Sequence, residues 1–231
     1  MKQNLSISRL LVAVACMWTM ALAANAEGND ATGKIVNGHK FVDLGLPSGL
    51  LWAETNVGAA AATEDGDYFA WGETSTQSYY DWSTYKLGSS STRIEKYNNK
   101  DCKFILEAED DAATANWGSP CRMPSKQEIE ELCNFNYCTW KWTYKTTAAG
   151  TLINGFEVIS KANGNSIFLP AVGYRNGDRV YTHGSRGYYW SSSRYASFKS
   201  MAYSLYFGSG DYDWYRYRRY FSFSVRAVVE P

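Results

Sequence analysis

The stretch GYYWSSSRYASFKSMAYSLYFGSGDYDWYRYRRYFSFSVRAVVEP (residues 187–231) carries the most informative pattern in the chain. Tyr203, Leu205 and Phe207 alternate with Ser204 and Tyr206. Phe223, Val225 and Ala227 alternate with Ser224 and Arg226. Period-two alternation predicts two half-buried antiparallel strands, with residues 208–220 looping between them. Nine of the chain's 18 tyrosines fall between Gly187 and Tyr220, interleaved with Ser, Arg and Asp. A tyrosine offers a large rigid face and one hydroxyl at low rotamer cost, and Tyr with Ser and Gly is the composition of antibody contact surfaces.

Working outward, residues 1–26 read as a secretory signal peptide. Lys2 and Arg9 precede an apolar run too short to span a bilayer comfortably, and Ala24-Asn25-Ala26 supplies a small-x-small cleavage pattern. A competing pattern makes Cys16 a lipid-anchored N-terminus. Lys2 and Arg9 are the only charged residues before Glu27, so removal of the segment leaves 21 Lys and Arg against 23 Asp and Glu. A formal charge of −2 gives no bulk attraction to nucleic acid or an anionic membrane. Residues 27–40 read as a polar tether and residues 41–231 as a single domain. Leu, Ile and Val are scarce, so aromatic rings must fill much of the core.

Cys102, Cys121, Cys133 and Cys138 follow the signal. An even count in an exported chain predicts one or two disulfides or plain buried thiols, with three full pairings open. The spacings lack a CxxC pair, and neither histidine, His39 nor His183, lies near them in sequence, so no metal is expected. Strands are predicted at residues 41–44 and 50–53 around the turn Pro47-Ser48-Gly49. Residues 74–99 lack periodicity and read as loop. A helix is predicted over residues 108–117 and a second after Ser125, where Ser125 and Glu128 form a capping box. Asn163-Gly164 and Asn176-Gly177 mark turns.

Several segments then occur in a specific order: VDLGLPSGLLWAETNVGA (42–59), YFAWGE (68–73), DDAATANWGSPCRMPSKQEIEEL (110–132), NGNSIFLPAVGYR (163–175), GYYWSSS (187–193) and FSVRAV (223–228). Across residues 41–228 the chain resembles the exported major paralogous (FISUMP-like) domains of gut bacteria. Cys121 departs from that pattern, where relatives commonly carry Trp. The resemblance implies an α+β, C-type-lectin-like fold: small twisted antiparallel sheets, two helices and long irregular loops. It extends to variable proteins of diversity-generating retroelements, whose C-terminal segment is randomised at adenines. That implies a variable binding segment at residues 187–222. Asn codons mutated in this way become Tyr, Ser or Asp. The tail has no Asn, whereas 14 precede it.

The expected function is that of an exported, non-enzymatic protein that binds a protein or glycan. Export places it in the periplasm, at the cell surface or outside the cell. The candidate contact residues are Arg194, Tyr195, Tyr206, Asp211, Tyr212, Asp213, Trp214, Tyr215, Arg216, Tyr217, Arg218 and Tyr220, because Tyr, Trp and Arg dominate interface energetics. Tyr189, Trp190, Leu205, Phe207, Phe223 and Val225 are expected to form a fixed frame on the opposite face. Replacing Tyr212, Trp214 and Tyr217 is then expected to abolish binding and spare stability. A plainer account has Arg216, Arg218 and Arg219 pairing with Asp211 and Asp213.

Other chemistries are weighed against the residues. No cofactor or nucleic-acid partner is expected, since no P-loop or dinucleotide glycine pattern appears. The serines of residues 191–193 lack a Gly-x-Ser-x-Gly frame. Glu64/Asp65, Glu109/Asp110/Asp111 and Asp211/Asp213 leave an exported polysaccharide hydrolase as one alternative, and these acids read more simply as caps and solvated loops. A self-associating surface or adhesin subunit is the other alternative. The lectin-like architecture also occurs in formylglycine-generating enzymes, but the chain has no cysteine after Cys138 to supply their chemistry.

Overall fold

A computed structural model describes residues 29–30 and 33–231. The expected signal peptide, with Cys16, lies outside the described residues. Among those described, no helix is long and apolar enough to cross a membrane. The architecture is α+β, with small antiparallel sheets and two short helices.

The first sheet has the order β1-β2-β3-β4-β15, from Asn29–Asp30, Gly33–Val36, His39–Asp43, Leu51–Ala53 and Val228–Val229. The described residues of the expected 27–40 tether, 29–30 and 33–40, are instead strands and a turn of this sheet. Asn37 and Gly38, at φ 51° and 83°, form a tight turn that pairs β2 with β3. Both residues tolerate positive φ, so the backbone hairpin closes despite its polar side chains. The sheet ends on β15, which pairs with β4 and so joins the two ends of the domain.

Asp111 divides the helix expected over residues 108–117. Its backbone is extended, and its carboxylate accepts from the amides of Ala113 and Thr114 at 2.9 and 3.0 Å. A 3-10 turn (Ala108–Asp110) precedes it and α1 (Ala112–Trp117) follows. Glu109 and Asp110 thus lie in the 3-10 turn, before the Asp111 cap. The second start is as expected: Ser125 caps α2 (Lys126–Cys133), and Glu128 reaches back to the Ser125 amide at 2.7 Å. Arg122 clamps that carboxylate, at 2.8 Å.

The second sheet has the order β10-β9-β14-β5, from Arg179–Tyr181, Tyr174–Asn176, Ser222–Phe223 and Phe69–Ala70. The third is β6-β7-β8, from Cys138–Thr146, Leu152–Ser160 and Ser166–Pro170. The fourth is β11-β12-β13, from Arg186–Arg194, Met201–Gly208 and Asp211–Arg218. Residues 208–220 are therefore not a loop. Gly208 and Asp211 close a hairpin, and β13 pairs with β12 along its whole length. The strand expected at residues 223–227 is also corrected. Ser222–Phe223 and Val228–Val229 join different sheets, separated by the buried residues Ser224 to Ala227.

The β11–β13 sheet lies between two apolar clusters. Tyr188, Trp190 and Ala202 enter one with Trp71, Phe223 and Val225. Tyr189, Leu205 and Phe207 enter the other with Phe156, Leu132 and Trp52. The expected frame therefore does not occupy one face. A sheet covered on both sides must carry apolar residues on both. Close packing also fixes Gly187, whose missing Cβ would lie 2.0 Å from Phe207 Cζ. Overpacking of this kind costs about 1–3 kcal/mol. Gly187→Ala is therefore expected to lower the urea midpoint by a corresponding amount, and an unchanged midpoint would show that the ring can shift freely.

Candidate functional site

Among the described residues the four cysteines are free thiols, so of the two expected alternatives plain thiols hold, with Cys121 and Cys138 buried, Cys133 half-buried and Cys102 exposed. Burial pushes up the thiols of Cys121, Cys133 and Cys138, the last to about 11, so these three stay protonated at neutral pH. The serine run is structural. Ser191 and Ser192 donate to the carbonyls of Tyr203 and Pro124, and Ser193 Oγ accepts from the Lys126 amide.

Two of the three acidic groups, Glu64/Asp65 and Glu109/Asp110/Asp111, are engaged locally, whereas Asp211 and Asp213 are exposed on β13. Lys96 sits among Glu107, Glu109 and Asp110, pairing with Glu109 at 2.5 Å and with Asp110. Glu64 accepts from the amides of Ala60 and Ala61. Asp65 meets His183 Nε2 at 2.9 Å and the Tyr68 hydroxyl at 3.1 Å. Those contacts tie loops together and leave no free carboxylate couple at these acids.

The β12–β13 register sorts the candidate contact residues. Asp211, Asp213, Tyr215 and Tyr217 lie opposite Gly208, Tyr206, Ser204 and Ala202. Tyr212, Trp214, Arg216 and Arg218 lie opposite Phe207, Leu205, Tyr203 and Met201. Alternation thus separates the aspartates of β13 from its arginines. Among the described residues no salt bridge joins them, which removes local ion pairing as the arginines' role. Arg219 is fully buried and donates to the carbonyls of Lys96 and Tyr97 at 3.0 and 2.6 Å.

Two expected contact residues are core. Arg194 is 3% exposed; it donates to Asn99 Oδ1 at 3.2 Å and covers the Phe104 ring. Tyr220 packs its ring edge-on against Trp82, 5.0 Å away. Three more are half-buried packing residues. Tyr212 stacks on Trp140 at 4.4 Å, with 8° between the planes. Tyr206 and Tyr217 pack on Tyr188 at 5.3 and 5.4 Å. Burial raises the phenols of all three, so they remain neutral. Tyr212 and Tyr217 thus do not fit the expectation that their loss would spare stability.

Of the remaining residues, Tyr195, Trp214, Tyr215 and Arg216 come together at the surface, whereas Asp211, Asp213 and Arg218 are exposed and, among the described residues, make no ring contact with the cluster. Tyr195 stacks with Phe198 and meets Tyr203 edge-on at 5.3 Å. Tyr203 meets Trp214 at 5.5 Å, and Lys126 Nζ lies 4.0 Å from the Trp214 ring centroid. The Arg216 guanidinium lies 5.2 Å from the Tyr195 ring and 5.0 Å from the Tyr215 ring. Asp211, Asp213, Tyr215 and Arg218 are exposed, and Phe198 is 60% exposed. Phe198, Tyr203 and Lys126 were absent from the sequence-based set. Tyr203 was counted there among the inward positions of its strand, and Lys126 belongs to a distant helix.

Residues 142–228 match a family described as a domain of unknown function (DUF8237). The match spans most of the third sheet, all of the fourth and the residues of this surface cluster other than Lys126. No curated protein and no solved structure matches the chain.

Proposed function

We propose that this chain is an exported binding protein that presents the β13 edge and its neighbouring rings to a protein or glycan. The Arg216 guanidinium carries the proposal: it is held between Tyr195 and Tyr215 and enters no salt bridge among the described residues. A planar guanidinium stacked on rings keeps its N–H edge available for a bidentate acceptor. Tyr and Trp surfaces supply apolar area at low entropic cost, which fits a contact site.

The C-type-lectin-like assignment belongs to the same proposal. It is supported by the paired chain ends, two short helices and the long irregular stretch between β5 and the 3-10 turn. Diversification of the tail is a further part of it. A near-copy of the tail's coding sequence, differing at adenines and lying beside a reverse transcriptase gene, is the expected genomic finding; its absence removes diversification alone.

Binding is tested on immobilised glycan and extracellular-protein arrays. Wild-type protein is expected to bind specific array members, and Tyr215→Ala/Arg216→Ala/Arg218→Ala is expected to weaken that binding at least tenfold. Equal binding by the variant would overturn the proposed face.

A further inference from the structure

A cleft of about 630 Å3 opens beside the surface cluster, between the loop that carries Thr92 to Lys100 and the segment that carries Lys199. Arg93, Lys100 and Lys199 line it, with Glu95 as the one carboxylate. Elsewhere, Lys96, Lys103, Arg122 and Lys126 are each closed on a carboxylate. Arg93, Lys100 and Lys199 enter no salt bridge among the described residues.

Two buried guanidiniums lie behind the same loop. Arg194 bonds Asn99 from within, and Arg219 bonds the carbonyls of Lys96 and Tyr97. Arg194 Nε and Arg219 Nε are buried without hydrogen-bond partners. Of the nearby acids, Asp101 faces Arg194, and its carboxylate is turned to the amides of Asn98 and Lys103 at 2.9 and 3.1 Å. Arg93, Lys100 and Lys199 against Glu95 give the cleft lining a net positive charge, and its low-dielectric wall focuses that field.

The wall is also preorganised. Asn98 donates to the carbonyls of Ile94 and Glu95 and accepts from the Lys100 amide at 2.7 Å. Buried Tyr97 holds φ 58°, a left-handed conformation that a bulky side chain adopts only under constraint. Immediately before Lys199, the exposed Phe198 ring stacks with Tyr195 at 5.9 Å. Concave cationic walls beside a flat exposed ring suit a sugar chain bearing acidic groups: the cations take the charge and Phe198 takes the face of the adjoining ring.

We propose that this cleft binds the carboxylate or sulfate groups of an anionic polysaccharide, with the exposed Phe198 ring, backed by Tyr195, as the platform for the neighbouring sugar. The assignment rests on the reading of the chain as a binding protein and supplies its ligand class. It is tested by surface plasmon resonance against heparin, polygalacturonate, neutral dextran and poly-L-glutamate. Wild-type protein is expected to bind heparin, polygalacturonate or both, with affinity falling several-fold between about 50 and 200 mM salt as screening grows. Binding to one alone identifies sulfate or carboxylate as the group read.

Arg93→Gln/Lys100→Gln/Lys199→Gln is expected to weaken that binding at least tenfold, and Phe198→Ala about threefold, both with an unchanged melting temperature. Lys199→Glu alone provides the same test if the triple variant is unstable. The proposal is overturned by equal binding to dextran, by poly-L-glutamate binding as tightly as the saccharides, or by cleft variants that bind like wild type. If wild-type protein binds an array member through Tyr215, Arg216 and Arg218 but ignores heparin and polygalacturonate, the acidic-glycan assignment falls while the binding function stands.

Discussion

Arg226→Met is expected to destabilise the domain by about 3–5 kcal/mol, because it strands several buried acceptors at about 1–3 kcal/mol each, partly offset by removing a desolvated charge. Arg226 is 1% exposed. Its guanidinium donates twice to Asn56 Oδ1, at 2.9 and 2.7 Å, and to the carbonyls of Ala53, Glu54 and Phe168 at 3.0–3.1 Å. No carboxylate forms a salt bridge with it among the described residues, so backbone and amide oxygens solvate the charge. Burial pulls its pKa down to about 10, which leaves it charged at neutral pH.

Methionine would strand these buried acceptors, and an unpaired buried acceptor costs about 1–3 kcal/mol. With typical stabilities of about 5–15 kcal/mol, the variant should be partly unfolded near body temperature. Urea unfolding checks this: the midpoint should fall with the slope unchanged. Arg226→Lys keeps the charge but lacks the planar fork, so it should recover less than half of the loss. A loss below about 1 kcal/mol for Arg226→Met would show that the network is dispensable.

The second large effect separates packing from contact on the same strand. Tyr212→Ala/Trp214→Ala/Tyr217→Ala should lower the melting temperature by roughly 10 °C or more. Phe or Trp to Ala costs about 3–5 kcal/mol when fully buried, and these rings are half-buried. The rings also lose aromatic pairs worth about 0.5–1.5 kcal/mol each, notably Tyr212 with Trp140 and Tyr217 with Tyr188. Tyr215→Ala/Arg216→Ala/Arg218→Ala should shift the melting temperature by only a few degrees, since surface changes usually stay within about 0.5 kcal/mol each. Differential scanning calorimetry of both triples decides the matter. If the first triple melts like wild type, Tyr212 and Tyr217 are free to make contacts. If the second melts far below it, the exposed edge is part of the fold.

Local signals in the sequence succeeded where one short-range interaction decides the outcome. The Ser125–Glu128 capping box is such a case, because both hydrogen bonds lie within four residues. The alternation over Tyr203 to Phe207 likewise marks β12. Asn37-Gly38 was equally legible as a hairpin turn, yet the flanking polar residues hid the strands it joins. In β13 the difficulty was different. DYDWYRYR alternates Asp with aromatic and then aromatic with Arg, so neither face is purely apolar. A hydrophobicity pattern therefore reads it as loop, whereas pairing to β12 makes it a strand.

By itself, the sequence determined that this is a domain of small antiparallel sheets and short helices, built on aromatic rings and rich in tyrosine and arginine toward its C-terminal end. Only the tertiary structure decided which of those residues are free. Arg194, Arg219 and Arg226 are buried, whereas Arg218 is exposed and Arg216 lies half-buried between Tyr195 and Tyr215. A guanidinium's fate depends on whether carbonyls from distant segments converge on it: Arg226 finds Ala53, Glu54 and Phe168, while Arg216 lies against the rings of Tyr195 and Tyr215. Such convergence is set by how four sheets pack, a relation between residues up to 173 positions apart, and no local pattern records it.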